Sequence, residues 1–279
     1  MTAERIVVGV DFSEDGNKAV DYALELAKRL HAEVVLTHVH DVSPSDWAVS
    51  TSPGSPSAEL SALLQRVRAA GHENVSELLI NGHAVDGLCR AGDRVEATMV
   101  VVGSHGRTGI KRFLLGSVAE LVVRHSPRDV LVVREPSAQP TSILVPTDFS
   151  QSSEAALARA MHLAPAGCKV DVVHCWQPTL TAAAHGWSPS TANRPAEFAA
   201  RGESLIAAYA SADTPPTFRA VETSPAEGIV ELAADHSLVV MGSHGRRGFE
   251  RMLLGSVAER TVRHAPCSVM VVTGSESAG

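Results

Sequence analysis

The chain carries one glycine-punctuated segment twice. Residues 103–120 read GSHGRTGIKRFLLGSVAE, and residues 242–259 read GSHGRRGFERMLLGSVAE. When Gly103–Val133 is aligned with Gly242–Val272, 21 of 31 positions are identical, whereas the segments before these glycines share little beyond their hydrophobic pattern. Packing alone tolerates exchanges between residues of similar volume. The repeat therefore predicts two similar domains within 279 residues, and a stricter constraint on the last third of each domain than a hydrophobic core imposes.

Strand and helix patterns alternate in both halves. Short apolar runs predict buried strands at 5–10, 32–40, 75–80, 97–103 and 129–133, and at 142–147, 169–176, 217–222, 237–242 and 268–272. Amphipathic stretches between them predict helices at 13–32, 58–70 and 85–96, and at 150–167, 196–210 and 226–235. We expect two tandem doubly wound α/β domains of Rossmann-like type, each with a mostly parallel five-stranded sheet flanked by helices. A polar linker with Pro136 and Pro140 places the domains at 1–137 and 138–279.

The bulk composition excludes several classes of partner. A formal net charge of −7 argues against a surface for nucleic acid or anionic lipid. No apolar run approaches 18 residues, and the start MTAERIVVGVDFSED does not read as a signal or transit peptide. The four cysteines are scattered without a CxxC pair, which favours free thiols over a disulfide or a metal site. We therefore expect a cytoplasmic protein with neither a membrane nor a nucleic-acid partner.

Three glycines mark the loop after each predicted central strand. In the first copy, Gly103 ends the strand, Gly106 follows three residues later, and Gly116 comes ten residues after that, directly before Ser117. Ligands of α/β sheets bind beyond the carboxyl ends of the strands. Glycines in such a loop let backbone N–H groups approach an anion closely and adopt positive φ angles without strain. The spacing therefore predicts a phosphate site at the start of the next helix.

The helix start itself has a second interpretation. Ser117–Glu120 and Ser256–Glu259 both read SVAE, which matches a capping box, so each serine could cap its own helix and need no ligand. Neither the Walker A pattern GxxxxGK[ST] nor the dinucleotide pattern GxGxxG matches the repeated segment. The generic phosphate motifs thus leave the choice between these two interpretations open.

The spacing Gly-x-x-Gly-(nine residues)-Gly-Ser resembles the nucleotide motif of the universal stress protein family. The Asp-Phe-Ser that begins at Asp11 and again at Asp148 resembles the amino-terminal signature of that family. The resemblance covers nearly the whole chain as two tandem domains. It implies an adenine nucleotide alpha hydrolase-like fold, ATP bound in each domain with or without Mg²⁺, and a nucleotide-dependent role in the stress response.

The resemblance also implies which residues would form the two sites. Phosphates and ribose would lie on the glycine loop and the helix start, and adenine would lie beside the ends of the strands. The first site would comprise Gly9, Asp11, Val39, Val102, Gly103, His105, Gly106, Arg107, Gly116, Ser117 and Val118. The second would comprise Pro146, Asp148, Cys175, Met241, Gly242, His244, Gly245, Arg246, Gly255, Ser256 and Val257. The family often has Pro-Thr-Asp before this site, which Pro146 fits and Gly9 does not.

No constellation that repeats in both halves supplies a catalytic base or nucleophile. Asp11 and Asp148, as residues on the adenine side, would be poorly placed to activate water, so we expect binding with at most slow hydrolysis. His38 and His174 lie in apolar strands and are expected to be core histidines with satisfied hydrogen bonds. The resemblance implies that the two domains pair through their last strands, which would make the chain a pseudo-dimer. A homodimer of this chain and an unidentified protein partner both stay open. The alternative function is a scaffold whose sites are empty or hold another ligand.

Overall fold

The chain divides into two compact units, Met1–Gln139 and Pro140–Gly279. The computed structural model describes residues 4–40, 55–106, 115–134, 139–177, 194–245 and 254–273. Within these ranges, no helix combines the length and the apolar character that a membrane span requires. All four cysteines are free thiols.

The first unit is a parallel five-stranded sheet flanked by helices. Its strands lie in the order β3-β2-β1-β4-β5, and every pair is parallel. The strand order reverses between β1 and β4, which opens a crevice at their carboxyl ends. The elements are β1 (Arg5–Gly9), α1 (Glu14–Leu30), β2 (Glu33–His40), α2 (Pro56–Ala69), β3 (Val75–Asn81), α3 (Ala84–Arg94), β4 (Met99–Gly103), α4 (Ser117–His125) and β5 (Asp129–Val133).

The second unit repeats this topology. Its strands lie in the order β8-β7-β6-β9-β10, again with parallel pairs only. Its elements are β6 (Ser142–Pro146), α5 (Gln151–Leu163), β7 (Lys169–Trp176), α6 (Arg194–Ile206), β8 (Thr217–Glu222), α7 (Pro225–Leu232), β9 (Leu238–Gly242), α8 (Ser256–His264) and β10 (Ser268–Val272), with 3₁₀ turns after α6 and α7. The predicted fold, two tandem α/β units with parallel five-stranded sheets, is confirmed.

The core of each unit is built from strands that are apolar on both faces. Ile6, Val7 and Val8 in β1 are fully buried, as are Val239 and Val240 in β9. Such continuous burial is typical of a central parallel strand that helices cover on both sides. The ends of these strands are therefore held in fixed positions, which is what a ligand site at their carboxyl edge requires.

A left-handed residue follows the first strand of each unit. Phe12 has φ 60° and Phe149 has φ 61°, a conformation that costs a non-glycine residue roughly 1–2 kcal/mol. The Phe12 ring packs against His38 with 4.9 Å between centroids, and the ring of Phe149 lies 4.7 Å from that of His174. These packing contacts accompany a sharp turn that separates the strand from the helix after it.

The two strand histidines are hydrogen-bonded core residues, as predicted. His38 Nδ1 lies 2.7 Å from the carbonyl oxygen of Val10, and His174 Nδ1 lies 2.7 Å from that of Thr147. Both side chains are buried. Each histidine thereby ties the second strand of its unit to the turn that follows the first strand.

Candidate functional site

A cavity of about 380 Å³ opens at the carboxyl ends of the central strands in the first unit. This volume lies in the usual range of small-molecule sites. Ten residues of the predicted first site line it: Gly9, Asp11, Val39, Val102, Gly103, His105, Gly106, Gly116, Ser117 and Val118. Seven further lining residues were not predicted: Val10, Thr37, His38, Ala84, Leu88, Ser104 and Ala119. Arg107 and Arg246 lie outside the described residues.

One end of the cavity is apolar. Leu88 on α3 faces Gly9, so closely that a Cβ built on the glycine would lie 3.2 and 3.3 Å from the two leucine methyl groups. A Cβ at Gly87 would collide with the side chain of Val39, so this glycine lets α3 pack tightly onto β2. The resulting apolar slot suits a flat, weakly polar group such as a nucleobase.

The other end of the cavity is built from backbone. The N–H of Gly116 donates to the carbonyl oxygen of Ser104 at 2.8 Å, which brings the start of α4 against the loop after β4. Gly116 is the N-cap of α4, and no side chain caps this helix among the described residues. The first-turn amides, at Ser117, Val118 and Ala119, therefore lie at the cavity without a cap, in the arrangement that binds anions.

The capping-box interpretation is wrong for both copies. Gly116 and Gly255 have extended φ and ψ angles and accept the first helical hydrogen bonds, from Glu120 and Glu259. The serine one residue later is already helical, where its hydroxyl no longer points at the amides of the first turn. The repeated serine therefore does not cap its own helix.

The loop glycines serve close approach rather than left-handed geometry. A Cβ at Gly103 would lie 2.7 Å from the backbone carbon and oxygen of Asp15, and one at Gly116 would lie 3.1 Å from the oxygen of Ser104. At Gly106 it would lie 2.9 Å from Asp11 Oδ2. None of the three glycines has a positive φ angle. Gly103 and Gly116 thus let the loop meet the starts of α1 and α4 at backbone distance, and Gly106 leaves room for the Asp11 carboxylate.

Asp11 lines the cavity beside the glycine loop. Its Oδ1 accepts hydrogen bonds from the Ser13 backbone N–H at 3.0 Å and from the Ser13 hydroxyl at 2.6 Å. The Ser13 hydroxyl also accepts from the N–H of Gly16 and so caps α1. This network fixes the carboxylate beside Gly106, with Oδ2 facing the glycine loop.

A second carboxylate, Asp15, lies behind the loop. Its Oδ2 accepts from Ser104 Oγ at 2.9 Å and lies 3.1 Å from His105 Nδ1, while Lys18 Nζ contacts its Oδ1 at 2.9 Å. Burial raises the pKa of Asp15, but the hydrogen bonds from Lys18, Ser104 and His105 outweigh it and leave the pKa below its ordinary value. On the far side of the ring, His105 Nε2 is buried without a partner in the described parts of the chain.

The second unit has the same backbone frame. Gly255 N–H donates to the Ser243 carbonyl oxygen at 2.8 Å, and a Cβ on Gly245 would lie 2.8 Å from Asp148 Oδ2. A Cβ on Gly242 would lie 2.9 Å from the backbone carbon and oxygen of Ser152. The remaining predicted residues are placed at the strand ends, in the loop and in the first turn of α8: Pro146, Cys175, Met241, His244, Ser256 and Val257.

Cys175 and His244 of the second unit each have a buried side-chain heteroatom. Cys175 is buried at the end of β7, and burial raises the pKa of its thiol to about 11. His244 Nδ1 lies 2.8 Å from Ser243 Oγ, and its Nε2 is buried without a partner among the residues that the structure describes. An orphaned histidine nitrogen therefore occurs at the same place in both units.

Comparison with known proteins agrees with the two-unit architecture. The family model for the universal stress protein family matches residues 2–134 and 141–273. A universal stress protein of Mycobacterium tuberculosis is 30% identical over 288 residues, which cover 97% of each chain. One from Methanocaldococcus jannaschii is 29% identical over 144 residues, 49% of this chain and 85% of its own. A solved universal stress protein from Archaeoglobus fulgidus covers 98% of this chain and 99% of its own with a TM-score of 0.72, and at 21% identity it shows the same fold. The chain therefore belongs to the universal stress protein family and carries one family domain in each half.

Proposed function

We propose that each domain binds one molecule of ATP and that the chain acts as a nucleotide-dependent regulator in the stress response, with at most slow hydrolysis. The observation that carries the proposal is the uncapped start of α4, which lies at the end of a cavity of about 380 Å³ whose other end is apolar. The phosphates would lie on the helix start and the glycine loop, and adenine would lie between Val39, Leu88 and Val102.

Backbone groups supply the attraction for the phosphates. A helix N-terminus carries roughly half a positive charge and several unpaired N–H groups. The chain as a whole is negative, with a formal charge of −7, so an anionic ligand has to be held by such local donors. The orphaned Nε2 of His105 adds one further polar atom that a ligand at this loop could satisfy.

The carboxylates near the glycine loop are held as hydrogen-bond acceptors. Asp11 Oδ1 accepts twice from Ser13, and Asp15 contacts Lys18 and Ser104. A general base needs a free lone pair directed at water next to the terminal phosphate. Both oxygens of Asp15 and one oxygen of Asp11 are engaged in this way, and the other, Asp11 Oδ2, faces Gly106 of the loop. This arrangement leaves one candidate base and favours binding with at most slow hydrolysis. Mg²⁺ that accompanies ATP would bind mainly to phosphate oxygens and water, with Asp11 Oδ2 beside it.

The alternative is a scaffold whose sites are empty or hold another ligand. One observation favours it: Val118 and Leu121, three residues apart on α4, are each 39% exposed. Exposed apolar side chains on one helix face are compatible with a protein partner. The position of Val118 at both the cavity and this face would also let a bound nucleotide affect such a partner.

The proposal is tested by counting nucleotides. Purified full-length protein is denatured and any released nucleotide is identified, and the emptied protein is then titrated with ATP in a calorimeter. We expect two equivalents of ATP per chain. Gly106→Asp and Gly245→Asp should each remove one equivalent, because the new carboxylate would lie against Asp11 or Asp148 in the loop.

The matched control is Gly71→Asp. It adds the same charge where a Cβ meets nothing within 4 Å. The φ angle of 95° strains any side chain, so circular dichroism checks that the variant is folded before the titration. This variant should keep both equivalents. Absence of released nucleotide together with absence of ATP binding by the wild type would overturn the proposal in favour of the scaffold.

A further inference from the structure

An ion pair joins two helices of the second domain. Arg260 Nη2 lies 3.3 Å from Glu227 Oε1, so the bond links the fifth residue of α8 to the third residue of α7. The two helices also pack against each other. Arg260 comes four residues after Ser256, about one helical turn, so the bond lies close to the helix start that belongs to the second candidate site.

The first domain lacks this ion pair. Asp86 is the third residue of α3 and Leu121 is the fifth residue of α4, so they stand where Glu227 and Arg260 stand in the second domain. A leucine cannot form an ion pair with a carboxylate, and Leu121 is instead 39% exposed. The carboxylate is thus present in both domains, whereas the guanidinium group is present in one.

The helices at these positions form two sides of the candidate site. In the first domain, Ala84 and Leu88 line the cavity from α3, and Ser117, Val118 and Ala119 line it from α4. In the proposed binding mode, the base contacts α3 and the phosphates contact the start of α4. A nucleotide therefore bridges the two helices, and a bond between the helices holds both parts of the site at a fixed separation.

We propose that Arg260 is a positioning residue, whose ion pair with Glu227 fixes α7 against α8 and slows the release of nucleotide from the second domain. The inference rests on the proposed nucleotide function. A site that is already held in its bound geometry loses less conformational freedom when the ligand binds. Differences of this kind act mainly on the dissociation rate. Leu121 supplies no such bond, so this contribution is missing from the first domain.

The exposure of the pair sets the size of the effect. The side chains of Arg260 and Glu227 are 53% and 58% exposed. Exposed ion pairs change an equilibrium constant by about 1.4-fold to 5-fold. Salt screens such pairs, because the Debye length falls to about 3 Å in 1 M salt. The contribution of the pair to nucleotide retention should therefore be moderate at low salt and should disappear at high salt.

Other charges near the two helices decide how the comparison has to be made. Glu259 pairs with Arg263 within α8, and Glu120 pairs with Arg124 within α4, so these pairs occur in both domains and join no separate helices. Positions 108 and 111 differ in charge from their counterparts 247 and 250, and all four lie outside the described residues. Each variant is therefore compared with the wild-type site of its own domain.

The experiment measures how fast a fluorescent ATP analogue leaves each site when excess ATP is added. Gly106→Asp isolates the second site and Gly245→Asp isolates the first. Arg260→Leu gives the second domain the residue of the first and should speed release from the second site by about 1.4-fold to 5-fold at low salt. Leu121→Arg should slow release from the first site by a similar factor, because Asp86 already stands at the position of Glu227.

Removal of the carboxylate separates the ion pair from a simple effect of charge. A cation on α8 also attracts an anionic nucleotide over a distance. Glu227→Gln removes a negative charge, so this attraction alone predicts slower release, whereas loss of the ion pair predicts faster release. Asp86→Asn should likewise cancel the effect of Leu121→Arg, and Arg260→Lys, which keeps the pair of charges, should retain most of the slow release. Slower or unchanged release in Glu227→Gln, or an effect of Arg260→Leu that persists in 1 M salt, would overturn the proposal.

A readout without nucleotide separates this inference from the proposed function. In the nucleotide-free protein, amide hydrogen exchange of the first turns of α7 and α8 should be about 1.4-fold to 5-fold faster in Arg260→Leu and in Glu227→Gln, with α3 and α4 unchanged. If neither site binds ATP, the proposed function and the nucleotide retention both fail, whereas the exchange rates still show whether the ion pair holds the helices together. Unchanged exchange in both variants would refute that positioning role.

Discussion

Gly103→Ala tests the idea that the glycine loop is held by backbone contact. The new methyl group would lie 2.7 Å from the backbone carbon and oxygen of Asp15, whereas ordinary contact begins at 3.4 Å. The strand end and the start of α1 therefore have to separate by roughly 0.7 Å, since backbone atoms cannot rotate away as a side chain can. The displacement would act directly on the candidate phosphate site.

The expected cost follows from two opposing terms. Overpacking of this kind costs about 1–3 kcal/mol, and a rigid backbone partner places it near the upper end. Replacement of glycine by alanine returns about 0.4–1 kcal/mol by restricting the unfolded chain. The net loss of about 2 kcal/mol raises the equilibrium constant for opening of the first domain about 30-fold.

Hydrogen exchange read by mass spectrometry measures this loss domain by domain. Peptides from α1 and β4 should exchange about 30-fold faster in Gly103→Ala, and the second domain should be unchanged. Gly92→Ala is the control, because its methyl group would lie 3.5 Å from Arg128 and 3.6 Å from Val100, which is ordinary contact. As a helical glycine it should gain about 0.5–1 kcal/mol. Unchanged exchange of α1 and β4 in Gly103→Ala would refute the close-approach argument.

Two further predictions concern caps and acid stability. Ser13→Ala should destabilise the first domain by about 1 kcal/mol or more, because Ser13 Oγ caps α1 and contacts Asp11. Ser117→Ala should change the free energy of unfolding by no more than about 0.5 kcal/mol, because Ser117 is not a cap. Urea unfolding of the two variants measures both changes. Equal losses would contradict the assignment of Gly116 as the N-cap. Burial raises the pKa of Asp171, but hydrogen bonds from Thr217 and His236 outweigh it and lower the pKa. A lowered pKa stabilises the fold above the ordinary value of about 3.9 and this contribution is lost as the pH falls below it. Protection factors of β7 and β8 peptides, which correct for the chemical exchange rate at each pH, should therefore fall below about pH 4 in the wild type and less so in Asp171→Asn, and identical acid profiles would exclude this linkage.

Hydrophobic pattern alone predicted the sheet because its central strands are apolar on both faces. The strand at 129–133 was placed with the bounds that the structure shows for β5, and the strand at 268–272 with those of β10. The patterns erred at element ends: the helix predicted at 226–235 ends at Leu232 and continues as a 3₁₀ turn. A 3₁₀ turn has about three residues per turn, and three residues are too few to show a departure from the period of about 3.6 that the pattern detects.

The candidate site was predictable where it depends on spacing and not where it depends on tertiary contact. Glycine spacing indicated the loop and the helix start. The prediction that the serine of SVAE caps the helix was wrong, because the N-cap residue is defined by backbone angles that these four letters do not determine. Asp15 was missed because its partner, His105, is 90 residues away in the chain. Comparison of the two repeats could have found it, since Asp15 stands where the second repeat has Ser152.

The uncapped helix start and the glycine loop form a binding surface made largely of main-chain atoms. Truncation of side chains does not remove such groups, so a conventional alanine scan would leave the amides of Ser117 and Val118 in place. The scan would therefore show little effect at the place where the proposed nucleotide would be held. Substitutions that add atoms are needed to perturb these main-chain groups. The loop glycines are therefore the most informative residues to change.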